Sequence, residues 1–255
     1  MSWTGKFVGA AIGFFWGGPI GALIGAAIGH QFDKSETSFF WNTYTNELDD
    51  WQTSHNEANV AFFVSVFSML AKMAKADGRV TQAEIESVEA FMKNQLHLDT
   101  QGRNFAVNIF RSALNSPESF DSFARQFYYR FQYDPELLEM MVDMLLRVGY
   151  ADGEITRSEE ELAYTAALIF GISSSAFEYI KSRYAKVSKK TYSVLGIDEN
   201  ASDSEIKSRY RKLVHEYHPD KLAAKGVPDE FARYARERFG EIQSAYEEIR
   251  KERGF

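Results

Sequence analysis

The tripeptide His218-Pro219-Asp220 ends a segment rich in basic side chains, and those side chains share one face. At 100° per residue, Ile206, Tyr210, Leu213 and Tyr217 fall within an arc of about 60°, whereas Lys207, Arg211, Lys212 and His215 spread over the opposite side. Such a segment packs with one face and offers the other to an acidic partner. Its chemistry is recognition, not catalysis. His215-Glu216-Tyr217-His218 falls short of the H-E-x-x-H arrangement that brings two imidazoles to one zinc ion, because the second histidine would have to stand where Pro219 is. No phosphate-binding loop or nucleophile elbow occurs, and the chain has no cysteine, which excludes thiol nucleophiles, disulfides and iron-sulfur clusters. An enzyme in its own right is not expected, nor is a cofactor.

A second constellation is repeated. Ala76-Asp77-Gly78-Arg79-Val80-Thr81-Gln82-Ala83-Glu84 recurs 75 residues later as Ala151-Asp152-Gly153-Glu154-Ile155-Thr156-Arg157-Ser158-Glu159. In each copy the glycine permits a turn closed to bulkier residues, and Thr81 with Glu84, or Thr156 with Glu159, spells a capping box for the helix that follows. Asp77, Glu84, Asp152 and Glu159 are the candidate metal ligands if the repeat is a calcium loop. However, Met73 and Lys75, or Val148 and Tyr150, occupy the first and third ligand positions of an EF-hand, so two oxygen donors are missing per copy. Helix-joining turns without metal are the expectation.

From Phe7 to Gly29 the chain runs 23 residues without a charge. As a helix this is roughly 34 Å at 1.5 Å per residue, enough to cross a hydrocarbon core of about 30 Å. The run is too long for the apolar part of a signal peptide, and no small-x-small cleavage site precedes Gln31. Gly5, Gly9, Gly13, Gly17, Gly21, Gly25 and Gly29 recur every four residues, opening a ridge on which a second helix can approach closely. We read residues 1–35 as a glycine-zipper transmembrane anchor that forms a homodimer within membrane lipid. The Gly17-Gly18-Pro19 break leaves a re-entrant hairpin as the alternative. Lys6 and Lys34 encode little about orientation.

The elements that carry these residues are all helical. With 255 residues and 45% apolar content, the chain accommodates two folded domains besides the anchor. The net charge of −7 is unevenly placed: residues 188–255 hold 14 Lys and Arg against 13 Asp and Glu, and the remainder 15 against 23. That balance argues against nucleic acid as a partner. Residues 36–186 form a helical domain. Its core stripes are Val60, Phe63, Val64, Phe67 and Leu70; Ile85, Val88 and Met92; Phe120, Phe123, Phe127 and Phe131; Leu137 to Val148; and Phe177, Ile180 and Tyr184. In residues 187–255, Tyr192 and Leu195 belong to a short helix ended by Gly196. Ser202 and Glu205 box the start of the basic helix, Pro219 stops it, and a long helix begins near Pro228 with Phe231, Ala235, Phe239, Ile242, Tyr246 and Ile249 on one side.

This tail resembles the J domain of DnaJ-like co-chaperones over essentially its whole length. The resemblance is carried by Y-x-x-L-G from Tyr192 to Gly196, I-K-x-x-Y-R-K-L from Ile206 to Leu213, Y-H-P-D-K from Tyr217 to Lys221, and I-Q-x-A-Y-E from Ile242 to Glu247. The paired A-D-G-x-V/I-T-x-x-E turns resemble those of TerB-like helical domains, a family whose acidic residues have been linked to metal. With the glycine-rich span in front, the order of parts is similar to that of bacterial membrane-anchored DnaJ-like proteins. Those can carry a long Gly/Gln-rich linker before the J domain; here only Ala185 to Lys190 intervenes, which shortens its reach.

The resemblance implies that the tail docks on a DnaK-type chaperone and stimulates its ATP hydrolysis. Lys207, Tyr210, Arg211, Lys212 and Lys221 would then form the docking face, with His218, Pro219 and Asp220 as the trigger. Basic residues would tune encounter, Asp220 would pair with a partner arginine, and Pro219 would hold both neighbours in place. Glu216 departs from the basic residue found in some J domains and lowers the positive potential of the face. Because DnaK-type partners and ATP are cytoplasmic, the resemblance further implies a single pass through the bacterial inner membrane with the short amino terminus outside. The alternative reading is a membrane stress sensor whose TerB-like domain binds metal or an envelope-signalling protein, with the J domain as a secondary output.

Overall fold

The computed structural model describes residues 18–21, 57–184, 190–223, 225 and 227–255. Of the anchor expected in residues 1–35, all but residues 18–21 lie outside the described residues, including the glycines at 5, 9, 13, 17, 25 and 29; of that ladder only Gly21 falls within them. Among the described residues no helix is long and apolar enough to cross a membrane. Every regular element in them is a helix, and the chain divides into two compact units, Met1–Arg130 and Phe131–Phe255.

The first unit is built on α1 (Glu57–Met73), followed by α2 (Gln82–Asn94), α3 (Thr100–Asn115) and α4 (Phe120–Phe131), which runs to the unit boundary. Phe62, Phe63, Val64, Val66, Phe67, Met69 and Leu70 are all fully buried, so α1 is apolar around its circumference and is enclosed rather than laid on a surface. Its aromatic side chains interlock with neighbours: Phe63 stacks on Phe105 of α3 at 5.5 Å, and Phe62 meets Phe127 of α4 edge-on at 5.5 Å. On α2 the buried face is Val88, Phe91 and Met92. Ile85, expected in that stripe, is instead 37% exposed, because the face turns toward Phe91 beyond the first turn.

The second unit comprises α5 (Pro135–Gly149), α6 (Arg157–Ile169), α7 (Ser174–Ser182), α8 (Lys190–Leu195), α9 (Asp203–Glu216), α10 (Pro219–Ala223) and α11 (Asp229–Arg253). Here α5 is the enclosed helix, with Leu137, Leu138, Met141, Met144 and Leu145 buried as expected, and it contacts α6, α7 and α9. In the tail, α9 packs on α11 through Ile206 and Leu213, while α8 and α10 also rest on α11. At the end of α8, Gly196 has φ +66°, and a Cβ there would come within 2.6 Å of the Tyr179 carbonyl of α7. Only glycine lets the two elements approach this closely.

Both repeat turns have the geometry the sequence spells. Gly78 and Gly153 adopt φ +92° and +105°. The Thr81 hydroxyl accepts from the Glu84 N–H, and the Glu84 carboxylate accepts from the Thr81 N–H; Thr156 and Glu159 do the same for α6.

Candidate functional site

The Ser202 capping box starts α9: its Oγ accepts from the Glu205 N–H at 3.3 Å, and Glu205 Oε2 accepts from the Ser202 N–H at 2.9 Å. Ile206, Leu213 and Tyr217 turn inward, which leaves Lys207, Arg211, Lys212 and His215 exposed on the other side. Tyr210 sits between the two faces. It is half-buried, and its ring stacks on Tyr246 of α11 with centroids 3.9 Å apart and planes 8° from parallel. Lys207 Nζ lies 4.4 Å from the centroid of the carboxy-terminal Phe255 ring, held there by an α11 cap in which Gly254 takes φ +77°.

His218-Pro219-Asp220 is not an open loop. Pro219 is the first residue of the one-turn α10, and the His218 carbonyl accepts from the N–H groups of Lys221 and Leu222 at 3.1 and 3.2 Å. Proline suits this position because its missing N–H would have no intrahelical partner there. The turn half-buries His218, whose ring meets Phe239 edge-on at 5.9 Å, and points Asp220 to solvent. The structure thus brings His218, Pro219, Asp220, Lys212 and Lys221 to the carboxy-terminal end of α9, while Arg211 and Lys207 lie about two and three turns before His218.

Behind this end is a buried ionic network that the sequence reading missed. Asp143 of α5 is fully buried. Its Oδ1 accepts from the Tyr184 hydroxyl at 2.6 Å and from Arg183 at 3.2 Å, and its Oδ2 accepts from the Tyr234 hydroxyl at 2.7 Å, with Arg238 at 3.7 Å. Arg183 also donates to the Tyr217 hydroxyl at 3.1 Å and to Glu216 at 3.2 Å. Burial alone would raise the Asp143 pKa, but the charges of Arg238, Arg183 and Arg147 hold it well below the ordinary carboxylate range. Burial and the Asp143 charge push the Tyr217 and Tyr234 pKa values up, so both phenols stay protonated, Tyr234 donating to Asp143 and Tyr217 accepting from Arg183. Glu216, expected to dilute the positive face, is instead 6% exposed and faces Arg183. A legible signal existed: Asp143 and Arg147 sit one turn apart inside an otherwise apolar run, where a charge requires a partner.

A rim of carboxylates from the start of α5 surrounds this network. Lys225 pairs with Glu136 and lies 3.1 Å from Asp134. The same Glu136 is 3.8 Å from Lys221 and 3.6 Å from His215. Burial would raise the Glu136 pKa, yet Lys225 and Lys221 bring it below the usual value. Lys212 stands 3.8 Å from Glu139 and 3.5 Å from Glu216. Burial, followed by the adjoining Glu216, pushes the Glu139 pKa up to about 8. Nearby, Arg209 donates to the Leu195 carbonyl at 3.0 Å and covers the Tyr179 ring; burial, and then the Arg183 charge, pulls its pKa down to about 10.

The four candidate metal ligands do not converge. Asp77 and Asp152 accept from the Arg79 and Glu154 N–H groups of their own turns, and Glu84 and Glu159 are engaged in the capping boxes. Among the described residues no group of three or more His, Asp or Glu side chains is placed to hold a metal ion.

Comparison with known proteins matches three family models in succession: the co-chaperone DjlA transmembrane domain at residues 1–47, tellurite resistance protein TerB at 63–182, and the DnaJ domain at 190–253. No solved structure matches the chain. The co-chaperone protein DjlA of Photobacterium profundum is 30% identical, over 98% of this chain and 99% of its own length. That of Coxiella burnetii is 30% identical over 99% of each, and that of Escherichia coli K12 is 28% identical over the whole of both. A cationic helix ending in His-Pro-Asp, set behind a TerB domain and a DjlA-type membrane segment in that order, places this chain in the DjlA family of J-domain co-chaperones.

Proposed function

We propose that the chain stimulates ATP hydrolysis by a DnaK-type chaperone and directs it to clients or envelope-stress signalling near the membrane. The observation that carries this reading is the placement of His218-Pro219-Asp220 on the first turn of α10, at the end of the exposed cationic side of α9. In it, Lys207, Arg211, Lys212 and Lys221 attract and orient an acidic surface. Tyr210, immobilised on Tyr246, supplies an aromatic contact at the edge of the basic face. Asp220 is free to pair with a guanidinium of the partner, and Pro219 fixes the turn that presents it. Hydrolysis takes place on the partner, and this chain acts only by binding.

The division proposed is residues 1–35 as anchor, 36–186 as TerB-like domain and 187–255 as J domain. The anchor is proposed to cross the inner membrane once, with the amino terminus outside and the rest cytoplasmic, and to pair with a second copy along Gly5, Gly9, Gly13, Gly17, Gly21, Gly25 and Gly29. The testing experiment is steady-state ATP turnover by a purified DnaK-type chaperone, with the full chain added in detergent micelles. Wild-type chain is expected to raise turnover and His218→Gln to leave it at the basal rate; equal turnover with the two proteins overturns the reading.

A further inference from the structure

Half of the cationic face assigned to the partner is already in contact with carboxylates of this same chain. Lys212, His215, Lys221 and Lys225 each lie within 4 Å of Asp134, Glu136 or Glu139, all at the amino-terminal end of α5. Lys207 and Arg211, nearer the start of α9, are exposed, as is Asp220. The contact is seated by buried groups: Arg183 grips Glu216 and Tyr217, the two residues directly before His218, and Asp143 takes the hydroxyl of Tyr234 on α11.

We propose that the acidic end of α5 is an intramolecular docking surface that masks Lys221, so that this arrangement is the resting state and a partner must displace Asp134 and Glu136 to seat fully. The inference rests on the assignment of Lys221 to the partner-docking face. Carboxylates already beside these cations offset the charge that would draw an acidic surface and occupy the space it would take, so the acidic rim acts as a tethered competitor. Its effect is to weaken apparent affinity by the fraction of molecules that are undocked. Lys207, Arg211 and Asp220 remain available for a first encounter, after which the rim pairs exchange for intermolecular ones. The cations Lys212, His215 and Lys221 are 47%, 64% and 40% accessible, so water competes for their side of the pairs and the contacts can exchange, whereas Glu136 is only 12% accessible and Lys225 17%.

The test compares full-length wild type with Asp134→Asn/Glu136→Gln, both in detergent micelles. The substitutions are isosteric, and the Asp134 side chain makes no cap hydrogen bond to α5, so the helix start is preserved. Two quantities are read: the co-chaperone concentration that gives half-maximal stimulation of a DnaK-type ATPase, and the rate of amine acetylation at Lys221 and Lys225 by mass spectrometry. The variant is expected to reach half-maximal stimulation at about a tenfold lower concentration, equivalent to ~1.4 kcal/mol, with the same plateau and faster acetylation at both lysines. Equal half-points with stimulation present overturn the mask, whatever the labelling. Faster labelling with no stimulation by either protein at any concentration supports the intramolecular docking and sinks the partner assignment instead.

Discussion

Replacing Asp143 by asparagine keeps the shape of the side chain and removes the only carboxylate shared by Arg183 and Arg238 in the buried network of Phe131–Phe255. Both guanidiniums are nearly inaccessible, with side-chain exposures of 2% and 4%. They cannot lose their charge, and water does not reach them. Breaking a buried pair by deleting one partner costs about 3–5 kcal/mol where the remaining charge is left uncompensated; Arg183 keeps Glu216 and Arg238 keeps Glu241, so the expected loss is at the lower end, about 3 kcal/mol. For a unit of this size that is a fall in Tm on the order of 10 °C. A second consequence concerns pH. The folded-state pKa of Asp143 is depressed relative to the unfolded chain, so its contribution is fully present above the ordinary carboxylate range and is lost as pH falls toward the folded value. The variant is therefore expected to differ most from wild type at neutral pH and to converge with it in acid. All four tryptophans, Trp3, Trp16, Trp41 and Trp51, precede Phe131, so tryptophan emission does not report this transition. Hydrogen exchange across α5, α9 and α11 does. Adding Arg183→Gln to Asp143→Asn should restore part of the loss, giving a coupling energy of about 0.5–3 kcal/mol. A loss below ~0.5 kcal/mol at neutral pH, with no change in the acid limb, would refute the argument that this carboxylate is a charge hub.

Gly196→Ala should loosen the approach of α8 to α7, since the new Cβ meets the Tyr179 carbonyl at 2.6 Å on a backbone at φ +66°; a cost of about 1–3 kcal/mol in urea unfolding is expected, and a neutral result would contradict the close contact. Glu139→Gln should match wild type in mild acid and exceed it in stability as pH rises. Burial and Glu216 raise the folded-state pKa of Glu139, so its favourable contribution is present at low pH and disappears on deprotonation, whereas glutamine has no proton to lose. Stabilities of the two proteins that stay parallel across that range would refute the raised pKa of Glu139.

Features coded by neighbours in sequence were legible before folding was considered. The three S/T-x-x-E boxes, the glycine turns of the repeat, Gly196 at the end of α8 and the inward side of α9 all depend on residues three or four apart, and all have the expected geometry. Ile85 departs from its stripe because periodicity states which residues share a face but not how far that face remains covered. His-Pro-Asp was legible as a motif, yet its conformation as a helical turn resting on Phe239 depends on α11, which lies beyond it in the chain.

The composition, the basic side of α9 and the order of the three parts follow from the amino-acid sequence alone, because each is a local pattern or a contiguous motif. Tertiary structure alone decided the destination of the charges. Asp143, Arg183, Glu216 and Arg238 are separated by tens of residues in the chain and read individually as solvent-facing ions, but folding places them in one dry cluster. Likewise, Lys212 and Lys221 belong to an open cationic face in sequence and to a face shared with Glu136 and Glu139 in space. Helical periodicity encodes direction around an axis; it carries no information about which helix arrives opposite.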